Sequence, residues 1–199
     1  GEVLGLPGVN VVLGNEDKAR VVELVTAARE ADEPVCQVTD ILKVKDFAET
    51  PVEEFIGRTR AAIKIQDGCN EYCSYCIIPF ARGRQRSRRP ADVLAEVRRL
   101  VSHGFREVVL TGIHLSAYGE DLEERVDLVE MVERLHAIEG LERIRLSSLE
   151  PMGLTPTTLE RLARLPKLCR HLHLPLQSGM TRSWPAWGAI TPRTSTGSW

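Results

Sequence analysis

The spacing of apolar positions changes several times along this chain, and each change predicts an element. "VNVVLG", Val9 to Gly14, is a short continuous apolar run and reads as a buried strand. "NEDKARVVELVTAAREA" follows at helical period. Asn15 stands where a cap belongs, acids fill the first turn, and Val21, Val22, Leu24, Val25 and Ala28 share one face. Residues 34–51 mix both patterns and read as a connector. From Thr59 the alternation becomes regular. "RAAIKIQ" is a strand. "PADVLAEVRRLVSHG" is a helix with Pro90 near its start and Gly104 as its stop. "REVVLTG" is a strand, "DLVEMVERLHAIEG" a helix ending at Gly140, "ERIRLSS" a strand, "TPTTLERLARLP" a helix and "HLHLPLQS" a strand.

Strands alternating with helices predict an α/β fold of parallel βαβ units, closed as a barrel or wound as an open sheet. In either, ligands bind at the carboxyl ends of the strands. The segment after the first of these strands, together with "TG", "SSLEP" and "QSG" after the next ones, therefore belongs to one rim.

That first segment changes the picture most. "DGCNEYCSYCIIPFARGRQRSR" places Cys69, Cys73 and Cys76 in a C-x3-C-x2-C pattern, three of only five cysteines in the chain. An odd, clustered set is not a disulfide framework, and a reducing cytoplasm is the expected compartment. Structural zinc needs four ligands, and no second cysteine pair supplies them. Cys36 and Cys169 are isolated and read as ordinary small residues; His114, His171 and His173 are not spaced as a finger. Three thiolates on a 4Fe–4S cluster leave one iron open to an exogenous ligand. A non-catalytic, zinc-dependent RNA-binding module remains the alternative of another class. Behind the cysteines come Arg82, Arg84, Arg86, Arg88 and Arg89. The net charge of the chain is only −2, so any nucleic-acid contact must come from such a local patch. No apolar run approaches the roughly 20 residues that a bilayer crossing needs.

The cysteine pattern with Tyr75 before its third member, a strand before and βα units after, resembles the radical S-adenosylmethionine (SAM) superfamily. "KIQDGCNEYCSYCIIPFARGRQRSR", "VVLTGIHLSAYG", "RIRLSSLEP" and "HLHLPLQSG" resemble the radical SAM tRNA methylthiotransferases, and within them the threonylcarbamoyladenosine type. The isopentenyladenosine and ribosomal-protein types share the cysteine motif and stay as alternatives. "GLPGVNVVLGNEDK" resembles the end of the amino-terminal domain of the same family.

The resemblance implies a partial (β/α) barrel over residues 55–179, preceded over 1–50 by the remnant of a methylthiotransferase amino-terminal domain and its connector. It implies a 4Fe–4S cluster on Cys69, Cys73 and Cys76, whose open iron binds SAM and whose electron cleaves it to a 5′-deoxyadenosyl radical. Tyr75, Thr111, Gly112, Ser147, Glu150 and Gln177 would contact that cofactor. Arg82, Arg86 and Arg88 fall on the family's arginine pattern and would meet tRNA phosphates or a SAM carboxylate, with Arg84 and Arg89 as bystanders. A reducing partner such as flavodoxin or ferredoxin and a monomeric state are expected. The second 4Fe–4S cluster of the family belongs to cysteines ahead of this chain, and the family's RNA-binding module is also missing. Residues 180–199 lack periodicity and hold all three tryptophans, which reads as a frameshift near Gly179.

Overall fold

In the computed structural model, residues 2–31, 33–48 and 59–178 are described; the tail from 179 lies outside them. The chain begins with a small parallel unit. Strand β1 (Val11–Leu13) leads to helix α1 (Val21–Ala31) and then to β2 (Val35–Gln37), which pairs parallel with β1 in the register Val11 to Val35. The second strand lies in the segment that the sequence pattern leaves as a connector. Two details of α1 also depart from the pattern. A 3-10 turn, Glu16–Arg20, precedes it, and Asn15 makes no side-chain cap. Only Leu24 and Ala28 are buried, while Val21, Val22 and Val25 stay exposed. The described residues offer that face no second layer.

The main sheet has three parallel strands in sequence order, β3 (Arg60–Lys64), β6 (Glu107–Thr111) and β7 (Arg143–Leu146). Each follows the period-2 alternation of a half-buried strand. The register aligns Ala61, Val108 and Ile144 in one row and Ile63, Leu110 and Leu146 in the next. All six are buried. Helices α3 (Pro90–Ser102) and α4 (Leu128–His136) contribute to the same core with Val93, Val97 and Leu100, and with Met131, Val132 and Leu135. The spacing of Val93, Val97 and Leu100 is the i, i+4, i+7 stripe of an amphipathic helix. Helix α5 (Pro156–Ala163) follows β7 and adds Leu162. Gly104 ends α3 at φ +92°, a left-handed position that glycine occupies without strain.

Strands that add in sequence order, each with its helix, make an α/β arc open at its edge. No closed barrel forms among the described residues. The expected fourth strand, "HLHLPLQS", is reduced among the described residues to one bridge, Ser148 with His173, while Ile144 bridges to Leu168 ahead of it. Pro175 has no N–H to give to a ladder, which removes a donor from the middle of the run.

Two very short strands close the cysteine segment. β4 (Gln66–Asp67) continues from β3, and β5 (Arg86–Ser87) returns antiparallel to it, pairing Asp67 with Arg86. Between them the loop carries the short helix α2 (Ile78–Arg82). The cysteine segment is thus a hairpin loop at the carboxyl end of β3.

Candidate functional site

The base of this loop is tightly drawn. Cys69 N–H donates to Gly83 O at 3.1 Å, and Gln85 N–H donates to Asn70 Oδ1 at 3.1 Å. Gly68 sits at φ +69°, and a Cβ there would lie 2.0 Å from Arg84 O, so only glycine lets the two sides of the hairpin approach. Within the loop Cys76 N–H turns back onto Cys73 O at 2.8 Å. Cys69, Cys73 and Cys76 are all free thiols and partly buried.

The thiols act on one another. Burial pushes the Cys69 thiol up; a backbone hydrogen bond at Glu71 pulls it back, and the Glu71 carboxylate with Cys73 and Cys76 adds to the rise. Burial and then Cys73 push the Tyr75 phenol up as well. Among the described residues no three His, Cys, Asp or Glu side chains gather as one metal ion requires. Cys36 is exposed on β2, and Cys169 donates its N–H to Ile144 O beyond α5.

The rim residues come together as far as the described structure reaches. Tyr75 Oη donates to Gln177 Oε1 at 2.8 Å, joining the cysteine loop to the end of the truncated fourth segment. Gln177 itself has φ +66°. Gly112 follows β6 and packs closely on Gln66, whose Cβ and Oε1 would be 3.0 Å from an added methyl. Thr111 is occupied structurally, its hydroxyl donating to Ile63 O at 3.2 Å. Ser147 Oγ and Glu150 Oε2 are buried at the end of β7 with no hydrogen-bond partner among the described residues.

His114 is the residue that sequence spacing underrates. It is buried just past Gly112. Its Nδ1 lies 3.9 Å from Cys69 Sγ and its Nε2 lies 3.6 Å from Glu150 Oε2. The only signal in the chain is its place after "TG" at a strand end.

The arginine run is the main correction. Arg82 forks onto Asp67, with Nε to Oδ1 and Nη2 to Oδ2 both at 3.0 Å, and its Nη1 reaches Asn15 Oδ1 at 3.0 Å. Arg86 is 1% exposed and pairs with Glu16 at 2.9 Å. Arg88 is buried against Glu96. The three guanidiniums expected to meet tRNA phosphate or a SAM carboxylate pair here with carboxylates of their own chain. Arg84 and Arg89, expected to be bystanders, are the exposed ones. A buried guanidinium must be paired, and acids far away in the sequence supply the partners. For Asp67, burial pushes the carboxyl up, but hydrogen bonds from Lys64 and Arg82 outweigh it and hold it below its ordinary range.

A cavity of about 790 Å³ lies beside Phe47, Arg89 and Asp121, and no cysteine lines it.

Three thiols on a hairpin loop, over the carboxyl rim of a parallel β/α arc, define an α/β protein built to hold a group above its strand ends. The comparisons agree with that class. The model of the radical SAM superfamily matches residues 63–194, and the chain belongs to that superfamily. It is 41% identical over 179 residues to the threonylcarbamoyladenosine tRNA methylthiotransferase MtaB of Bacillus subtilis, covering 89% of this chain and 40% of that protein. It is 36% identical over 177 residues to a tRNA-2-methylthio-N(6)-dimethylallyladenosine synthase of Clostridium botulinum, covering 87% of this chain and 38% of that protein. The chain thus spans about two fifths of the length of these relatives. Among solved structures it resembles the radical SAM methyltransferase TsrM of Kitasatospora setae, with TM-score 0.51 and 24% identity over 65% of this chain and 24% of that one. That likeness supports the fold alone. One TsrM structure carries cobalamin and a [4Fe-4S] cluster.

Proposed function

We propose that this chain is part of a radical SAM methylthiotransferase that adds a methylthio group to N6-threonylcarbamoyladenosine beside the anticodon of tRNA. One observation carries the reading: the Cys69, Cys73, Cys76 loop sits on the strand-end rim of a chain 41% identical to a protein named for that reaction. The dimethylallyladenosine relative is less similar at 36%, which favours the first substrate.

The residues present fit the cofactors that the superfamily uses. Three partly buried free thiols on one constrained loop suit a 4Fe–4S cluster with one iron left to an outside ligand. The orphaned Ser147 Oγ and Glu150 Oε2 suit a polar ligand at the same rim. Bound there, cluster and SAM supply one-electron radical chemistry. The chain's own part is to place them. Cys69, Cys73 and Cys76 hold the cluster, and Gly68 holds the loop closed beneath it. Gly112 lets the backbone of the β6 end come close, while Ser147 and Glu150 offer hydrogen bonds to SAM. Tyr75, tied to Gln177, walls one side, and Thr111 fixes the β6 end against β3. Exposed Arg84 and Arg89 are the arginines of this run free to reach tRNA phosphate.

The domain division belongs to the same proposal: an amino-terminal remnant over 1–50, a radical SAM core over 55–179 and a frameshifted tail over 180–199. The superfamily match runs past Gly179, so sequencing the encoding DNA is the direct check of that tail. A cytoplasmic, monomeric protein served by a flavodoxin or ferredoxin completes the reading. No helix of the described residues is long and apolar enough to cross a membrane.

The test is anaerobic iron–sulfur reconstitution, then electron paramagnetic resonance of the reduced sample with and without SAM. A 4Fe–4S signal that changes with SAM is expected. Zinc, or no iron in a folded sample, would remove the radical chemistry and favour an RNA-binding module. Trials of the complete protein with tRNA and with ribosomal protein separate the substrate classes.

A further inference from the structure

His114 is held from three directions. Its backbone N–H donates to Gln66 Oε1 at 2.8 Å. Gln66 is itself fully buried and donates through Nε2 to Gly68 O at 2.8 Å and Asp67 O at 3.1 Å, the residues just ahead of Cys69. One amide side chain thus ties the β6 end to the root of the cysteine loop. On the ring, Nδ1 faces Cys69 Sγ, and Glu71 Oε1 lies at 3.9 Å from the same nitrogen. Nε2 faces Glu150 Oε2, an oxygen that is buried and otherwise unpartnered among the described residues. Burial at 7% exposure removes water as a competitor.

We propose that His114 is a positioning residue for the cluster, donating from Nδ1 to the sulfur of Cys69, and that this hydrogen bond sets the cluster's reduction potential. The inference rests on the cluster reading above. A hydrogen bond to a ligating sulfur draws charge from it, and the reduced cluster, being more negative, gains more from that bond than the oxidised one. The donor therefore makes the cluster easier to reduce.

The experiment is a redox titration, followed by electron paramagnetic resonance, of the reconstituted chain and two variants, H114A and H114Q, with iron counted in each. H114A should hold the same iron as the parent and titrate at a more negative potential. H114Q keeps an N–H donor of similar reach and should recover much of that shift. An unchanged potential in H114A at full iron content would overturn the proposal, and so would equal shifts in H114A and H114Q. If H114A binds no cluster, H114Q decides alone: a parent-like potential supports the hydrogen bond, and a potential clearly more negative than the parent's overturns it. A parent chain that takes up no iron overturns the cluster reading instead, and is recognised before any variant is compared.

Discussion

Before residue 48, Val3, Leu6, Val21, Val22, Val25, Val38 and Leu42 remain exposed, and among the described residues Leu24 and Ala28 are the buried apolar side chains. Between Ala61 and Leu162, the buried apolar residues of the main sheet and its helices close into one cluster. The first region has a sheet of two three-residue strands; the second has rows of apolar side chains in register under two amphipathic helices. Yet the two are joined beside the cysteine loop. Asn15 and Glu16 meet Arg82 and Arg86, and Gly83 packs so closely on Ile41 O that an added Cβ would be 2.6 Å away. The core makes itself by burial, and the amino-terminal unit is held to it by polar contacts at the site. The comparison teaches that the arginine run is an internal clasp between these regions before it is anything else.

Cutting into the core should cost most. Leu110→Ala removes a fully buried side chain from the central row and should lower stability by about 2–5 kcal/mol in denaturant unfolding. A loss as small as that of an exposed site would break the contrast between the regions. Glu16→Ala tests the clasp. It strands the buried Arg86, whose Nε and Nη1 already lack partners among the described residues, and should cost about 3 kcal/mol, the low end for a broken buried pair. An unchanged melting temperature would mean that the two regions are energetically separate. Gly68→Ala forces a Cβ against Arg84 O at a left-handed backbone and should cost about 1–3 kcal/mol, with fewer irons bound per chain on reconstitution.

Asp67 gives the pH dependence. Its folded pKa lies below the unfolded value of about 3.9, so its contribution is present above that pH and is lost as pH falls through the folded value. Asp67→Asn should lower stability at neutral pH and flatten the acid limb of the melting curve; an acid limb as steep as the parent's would exclude Asp67 as its source. The smallest effect is expected at Val22→Ala, 76% exposed on α1, which should stay within about 0.5 kcal/mol of the parent. A larger loss would show that the exposed face of α1 is covered in solution.

Local periodicity made much of the architecture legible. Val93, Val97 and Leu100 recur at helical spacing, Pro90 opens that helix and Gly104 closes it, all within one stretch of chain. The three parallel strands alternate as half-buried strands do. The cysteine spacing, read beside a strand and βα units, pointed to the superfamily that the comparisons show. The same local view overstated α1, where Val21, Val22 and Val25 fit a helical face that meets no partner. It overstated the fourth strand too, because alternation in "HLHLPLQS" says nothing about whether a neighbour supplies a ladder past Pro175.

By itself, then, the sequence determined β1, α1 and the alternation from β3 through α3, β6, α4 and β7 to α5, the loop that carries Cys69, Cys73 and Cys76, and the rim on which that loop lies. Only the tertiary structure decided which arginines turn inward and that His114 stands between Cys69 and Glu150. The reason is sequence separation. A helix face or a strand edge is set by neighbours two to four residues away. The partners of Arg86 and His114 are 70 and 45 residues distant, and side chains so far apart along the chain meet only when the whole arc closes around them.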